Sequence, residues 1–67
     1  MSIAKITEIT AQSPDGFDQA IRHGIERIND SLRNVQSVWI KDQEILLQAG
    51  SVRAYRVTMK ITFVLED

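Results

Sequence analysis

Few side chains in this 67-residue chain have the type and spacing that catalysis requires. His23 is the only histidine, cysteine is absent, and no serine lies near the histidine in sequence. A nucleophile paired with a base is therefore not indicated, and no glycine-rich phosphate loop occurs. His23 also falls opposite the apolar stripe of a predicted helix, which favours a solvated surface residue over a catalytic base. The pattern does not indicate an enzyme.

Carboxylates gather in two places, at Asp42 with Glu44 and at Glu66 with Asp67. Oxygen ligands at alternate positions suit calcium or magnesium, but calcium takes about six to eight oxygens. The chain has no acidic loop of EF-hand spacing, so solvated charges are the favoured interpretation. A symmetric assembly would raise the number of ligands by bringing copies together at an axis. Asp42 and Glu44 are thus candidate metal ligands between copies of the chain.

Trp39 is the single tryptophan and the one large aromatic suited to stacking on a planar ligand. Ser37, Trp39 and Lys41 share one face of a predicted strand, whereas Val38 and Ile40 share the other. Trp39 therefore lies on the more polar face, where either a subunit contact or a ligand would place it. Both alternatives stay open from the spacing.

The helix that must position these residues begins at Ser13-Pro14-Asp15-Gly16. Ser13 is suited to capping the first free amides and Pro14 to the first helical position. The predicted helix covers residues 14–34 and carries an apolar stripe. That stripe consists of Phe17, Ile21, Gly24, Ile25, Ile28, Leu32 and, just past the helix end, Val35. Because glycine costs about 1 kcal/mol against alanine inside a helix, Gly24 indicates a close approach to a neighbouring backbone.

Three strands are predicted, over residues 3–11, 35–48 and 52–65. The last has the most regular alternation, and its odd-numbered face is expected in the core. The polar run Lys41–Glu44 indicates a bulge or bend in the second strand, and Ala49-Gly50-Ser51 a hairpin turn. The fold class is therefore α+β, a single β-α-β-β domain over residues 1–67. Its three-stranded antiparallel sheet has the order 1-3-2 and packs on one amphipathic helix.

Element lengths predict a homo-oligomer. A helix of about 20 residues spans about 30 Å, whereas hairpin strands of about 14 residues each span about 45 Å. The helix cannot cover the whole hairpin, whose far part is expected to carry Trp39, Leu46, Leu47 and Tyr55. An uncovered two-stranded ribbon is not stable alone in water, so another subunit is the natural cover.

Composition argues against several partners and locations. Eight basic and nine acidic residues give a net charge of −1, and the basic residues are dispersed along the chain. No nucleic-acid surface is therefore indicated. No apolar run approaches the roughly 18 residues that a membrane span needs, and the opening residues do not read as a signal peptide. A cytoplasmic location is expected.

Several segments resemble the dodecin family over nearly the whole chain. They are Ser13-Pro14-Asp15-Gly16 at the helix start, Ser31-Leu32-Arg33-Asn34-Val35 at its exit, and the closing strand from Tyr55 to Asp67. The closing strand is the most specific, since dodecins typically end in a similar pattern. The resemblance implies a hollow, cytoplasmic homododecamer that binds flavins such as riboflavin, lumichrome or FMN. It implies storage or protection and no catalysis, with a structural or calcium-holding shell as the alternative.

Two positions depart from the flavin site that the family implies. Dodecins stack the flavin on a tryptophan soon after the helix, where this chain has Ser37. A glutamine of the last strand contacts the flavin edge, and Arg56 takes its place, as a donor only. Trp39 lies two residues on, about 6.6 Å along the strand, on the same face as Ser37. The implied ligand residues are Ser37, Trp39 as a shifted platform, and Arg56 to attract an anionic edge or phosphate.

Overall fold

The computed structural model describes residues 3–65. Its elements follow the order β1 (Ile3–Ser13), α1 (Phe17–Ser31), β2 (Val35–Gln48) and β3 (Ser51–Leu65). The strands form one sheet in the order β1-β3-β2, and both pairings are antiparallel. The predicted fold class and strand order are confirmed. The paired carboxylates Glu66 and Asp67 lie outside the described residues.

The helix is shorter than the predicted 14–34, because the residues expected to start it belong to the connection. Ser13 is the last residue of β1, and its Oγ accepts a hydrogen bond from the backbone N–H of Asp15 at 3.0 Å. Gly16 occupies the N-cap position with φ 148°, and no side chain caps the helix. The predictions that Ser13 caps the helix and that Pro14 opens it are therefore wrong. The serine and proline shape a tight turn from sheet to helix instead.

The helix also ends before the predicted residue 34. Leu32 is already extended, with φ −119° and ψ 147°, and Asn34 has φ 59°. Asparagine tolerates this left-handed conformation better than most residues, so it provides the sharp turn into β2. The turn is tied to β3 because the backbone N–H of Val64 donates to the carbonyl of Asn34 at 3.1 Å.

One face of the central strand forms the core. Val57, Met59 and Ile61 are fully buried beneath α1, which contributes the equally buried Ala20. Partly buried residues of every element surround them, namely Ile9, Ala11, Phe17, Ile21, Ile28, Leu32, Val35, Val38 and Ile40. The expectation that the odd-numbered side of β3 meets the core is confirmed for these buried positions.

Gly24 is the point where α1 approaches the sheet most tightly. A Cβ atom added there would overlap Met59 Cε and lie 3.3 Å from Ala11 Cβ. The predicted close approach is confirmed, but the neighbours are side chains of the sheet and not backbone. The missing side chain of Gly24 makes room for the buried methionine.

The β2–β3 hairpin extends well beyond the helix, as predicted. The 15 residues of α1 span about 22 Å, the 14 residues of β2 about 46 Å, and the described chain is 51 Å long. The hairpin end, residues 45–52, exposes the large apolar side chains Ile45, Leu47 and Val52. Its turn has positive φ at both Ala49 and Gly50, the conformation that matches the twist of a tight hairpin.

Tyr55 does not belong to the uncovered part of the hairpin, contrary to the expectation. Its ring packs edge-on against Phe17 of α1, with the centroids 5.1 Å apart. The helix start therefore covers this position. Within residues 3–65, no helix combines the length and apolar character needed to cross a membrane.

Candidate functional site

The side of the sheet away from α1, here called the open face, holds the candidate residues. Residues opposite each other in an antiparallel pair project to the same side, and neighbours along a strand alternate. The even-numbered residues of β3 thus face away from the core, as expected for Arg56, Thr58, Lys60 and Thr62. Their partners on the edge strands complete the open face and are Ile6, Glu8, Thr10, Gln12, Ser37, Trp39, Asp42 and Glu44.

A bulge in β2 brings the two candidate groups onto this one face. The register shifts between Ile40 and Asp42, so Lys41 has no partner on β3. The extra residue changes which positions of β2 point away from the core. Trp39 precedes the bulge and Asp42 follows it, and both lie on the open face although they are three residues apart. The predicted irregularity in the polar run of β2 is confirmed.

Trp39 is 63% exposed and lies opposite Lys60 of β3. The Lys60 Nζ atom is 5.2 Å from the centroid of the Trp39 ring, within the range of a cation–π contact. Ser37 lies one position further along the same face, opposite Thr62. The open face therefore offers an exposed indole that already holds a cation against its ring.

Two ion pairs cross the open face and involve predicted site residues. Arg56 Nε donates to Glu44 Oε1 at 2.7 Å, and Lys41 Nζ donates to Glu8 Oε1 at 3.4 Å. All four side chains remain at least a third exposed, so each pair contributes little to stability, about 0–1 kcal/mol. The structure thus joins a residue predicted to contact an organic ligand, Arg56, to one predicted to bind a metal, Glu44.

The described residues do not assemble a metal site. No group of three or more histidine, cysteine, aspartate and glutamate side chains that could hold a cation occurs in residues 3–65. Asp42 lies opposite Thr58, and the Glu44 carboxylate is engaged by Arg56. A cation held by Asp42 and Glu44 would therefore need further oxygen ligands from outside these residues.

A groove of about 370 Å³ lies elsewhere, between α1 and the edge strand β1. Its lining consists of Ile9, Thr10, Ala11, Gln12, His23, Gly24, Arg27, Ile28 and Ser31. None of the ligand or metal candidates contributes to it. His23 is exposed at this groove, in keeping with the expected surface position.

Lys60 is the residue of this face whose contact the sequence did not predict. Its contact with Trp39 depends on the strand register, and two irregularities in β2 set that register, between Val35 and Ser37 and between Ile40 and Asp42. Alternation within each strand indicates which residues share a face, but it does not indicate which residues of neighbouring strands meet.

Comparison with known proteins agrees with this architecture. The family model named Dodecin matches residues 3–66. The dodecin of Streptomyces davaonensis is 35% identical and superposes with a TM-score of 0.91, covering 98% of this chain and 97% of that one. The dodecin of Streptomyces coelicolor is 30% identical and superposes with a TM-score of 0.92, covering 98% of this chain and 94% of that one.

A curated relative comes from Mycobacterium tuberculosis and is named calcium dodecin. It is 24% identical over 63 residues, which are 94% of this chain and 89% of that protein. The family match spans nearly all of the chain, and the solved dodecins share its complete β-α-β-β topology. The resemblance seen in the closing strand is thereby confirmed, and the chain belongs to the dodecin family.

Proposed function

We propose that this dodecin is a self-assembling binding protein that stores or protects a planar ligand and does not turn it over. The assembly is a hollow, cytoplasmic homododecamer, and the ligand is a flavin held between subunits. The observation that carries this proposal is the open face itself. A sheet face without a covering helix presents an exposed indole, which is the kind of surface that a flat aromatic ligand stacks on.

Exposed apolar side chains support assembly. Seven large ones are exposed in residues 3–65, namely Ile3, Ile6, Trp39, Ile45, Leu47, Val52 and Leu65. They group at the hairpin end, on the open face and at the opposite end of the sheet, where Ile3 pairs with Leu65. Both outer strands also leave one edge unpaired, which invites pairing with other chains. A neighbouring copy would cover the hairpin end and enclose the open face.

Trp39 is the platform in this proposal. Stacking of a base-like ring on an aromatic side chain is worth about 1–3 kcal/mol per ring, which is enough to orient a flavin. Ser37 lies where other dodecins stack the flavin, so the ring is displaced along β2 toward Trp39. Arg56 takes the position of the family glutamine, and its N–H groups that do not bind Glu44 can donate to the carbonyl edge of the ligand.

A flavin titration tests the platform directly. Because Trp39 is the only tryptophan, quenching of its emission by riboflavin reports on a ligand at this position. Wild-type protein is expected to quench flavin emission as well, and Trp39→Leu should lose that quenching. Trp39→Phe keeps a ring and serves as the matched control, with a partial loss. Absence of quenching at high micromolar riboflavin would rule out the flavin proposal, and native mass spectrometry would count the subunits.

A calcium-holding or structural shell is the second candidate. The bulge in β2 directs Asp42 and Glu44 to the open face, and a relative of this chain is named calcium dodecin. Between copies, these carboxylates would supply oxygen ligands to calcium or magnesium. Native mass spectrometry in calcium distinguishes the two candidates. Retained calcium that Asp42→Asn removes, together with absent flavin quenching, would favour the cation shell.

A further inference from the structure

The described open face carries three cationic side chains in different electrostatic states. Arg56 and Lys41 each bind a carboxylate, Glu44 and Glu8 respectively. For Lys60, no carboxylate oxygen of residues 3–65 lies within 4.0 Å of the ammonium group. Glu8 is the direct cross-strand neighbour of Lys60, yet its carboxylate reaches Lys41 instead.

Lys60 therefore contacts the Trp39 ring with its charge uncompensated. A cation–π contact attracts the ammonium but does not neutralise it, since the indole carries no net charge. A carboxylate already compensates the charge of each of the other two cations, so an incoming anion gains less from approaching them. Of the three, Lys60 is the one whose charge no carboxylate of residues 3–65 offsets.

We infer that Lys60 binds the anionic group of a planar ligand stacked on Trp39, so that the site selects flat anions over flat neutral molecules. This inference rests on the proposed function, because it assumes that Trp39 is the platform. It names the ligand class more closely: an aromatic ring system with a phosphate or carboxylate on an arm that reaches around the indole. Arg56, at the position where an anion contact was expected, stays with Glu44.

The expected selectivity follows from the geometry. The ammonium lies 5.2 Å from the ring centroid, over one face of Trp39. A ligand stacked on the other face reaches it through an arm that passes the edge of the indole, and we take a charge separation of about 5–6 Å for this contact. Two unit charges at that separation in water attract enough to change a binding constant about three- to fourfold. Exclusion of water between copies would increase this ratio, and added salt would reduce it.

Riboflavin and FMN form the matched pair of probes, since they share the ring system and differ by the phosphate. Wild-type protein is expected to bind FMN at least threefold more tightly than riboflavin. Lys60→Gln should remove this preference while it changes riboflavin affinity little, and Lys60→Arg should restore it. The double variant Arg56→Gln/Glu44→Gln removes a guanidinium without changing net charge. It should weaken binding of both flavins alike, because Arg56 donates to the ring edge that they share, and so keep the FMN preference.

The outcomes separate the inference from the proposed function. If Lys60→Gln leaves the FMN-to-riboflavin ratio unchanged, or if the Arg56/Glu44 double variant abolishes it, Lys60 is not the anion contact, although Trp39 remains the platform. If neither flavin quenches Trp39 emission in the wild type, the platform fails and the assignment of Lys60 fails with it. Unchanged assembly in native mass spectrometry verifies that each variant has folded.

Discussion

Replacing Gly24 by alanine tests how tightly the helix is seated on the sheet. At an exposed helical position this change stabilises by about 1 kcal/mol, because glycine loses more backbone freedom on folding. At Gly24 the new Cβ would overlap Met59 Cε and lie 3.3 Å from Ala11 Cβ. The end of a methionine side chain is flexible, but Met59 is fully buried and has little space to move into.

The magnitude follows from the two opposing effects. Inserting a methyl group into a packed core typically costs about 1–3 kcal/mol, and the helix propensity of alanine offsets about 1 kcal/mol of this. Gly24→Ala should therefore lower the free energy of unfolding by about 0–2 kcal/mol. Urea unfolding followed by circular dichroism measures the change. Wild type and variant must be compared at equal protein concentration, because assembly adds to apparent stability.

Repeating Gly24→Ala in a Met59→Leu variant shows which side chain opposes the added methyl group. Met59→Leu shortens the side chain that fills the space beside Gly24, at an expected cost below about 1.5 kcal/mol. In that background Gly24→Ala should be less destabilising by about 1 kcal/mol. A stabilisation of about 1 kcal/mol by Gly24→Ala in the wild-type background would refute the close approach. Equal destabilisation by Gly24→Ala in both backgrounds would show that Ala11, and not Met59, opposes the added methyl group.

Two further variants examine the hairpin and the helix start. Leu47→Lys places a charge on a 64% exposed apolar side chain of the hairpin end, so we expect smaller species in size-exclusion chromatography with light scattering. Gln48→Lys, which adds the same charge one residue away, should assemble normally; equal disruption by both would point to charge and not to apolar contact. Phe17→Leu removes the edge-to-face contact with Tyr55 and should cost about 0.5–1.5 kcal/mol in urea unfolding. An unchanged midpoint would mean that this ring pair does not hold the helix start.

The sequence predicts the elements well because each has one strong periodicity. The apolar stripe of α1 and the alternation in β3 both predict their elements correctly, because the residues of both patterns pack into one core built on Val57, Met59 and Ile61. The polar run in β2 likewise indicated a bulge. These are local patterns, and neighbouring residues in the chain carry them.

The wrong predictions concern residues that have more than one partner within reach in the folded chain. Ser13 has the chemistry of a helix cap, but its hydroxyl satisfies the Asp15 amide in the connection instead. Tyr55 was expected in the overhang, yet Phe17 at the start of the helix reaches it. The contact of Lys60 with Trp39 depends on register across strands, which no local pattern specifies.

The site residues themselves stay predictions from sequence, and the structure adds their relation to each other. Arg56 and Glu44 were assigned to different kinds of site, an organic ligand and a metal. Their ion pair at 2.7 Å means that occupation of one site would alter the charge available to the other. Spacing along separate strands did not reveal this link.

The bulge at Lys41 changes which positions of β2 face each side of the sheet. Upstream of it the odd positions Ser37 and Trp39 are displayed on one side, and downstream of it the even positions Asp42 and Glu44 are. Deleting this single lysine would restore regular alternation and leave both groups on the open face, whereas pairing the lysine regularly with Thr58 would make the downstream half of the strand exchange its surfaces. In that regular pairing either the aromatic end or the acidic end would turn inward, so the bulge is the condition under which Trp39 and Asp42, three residues apart, share one face.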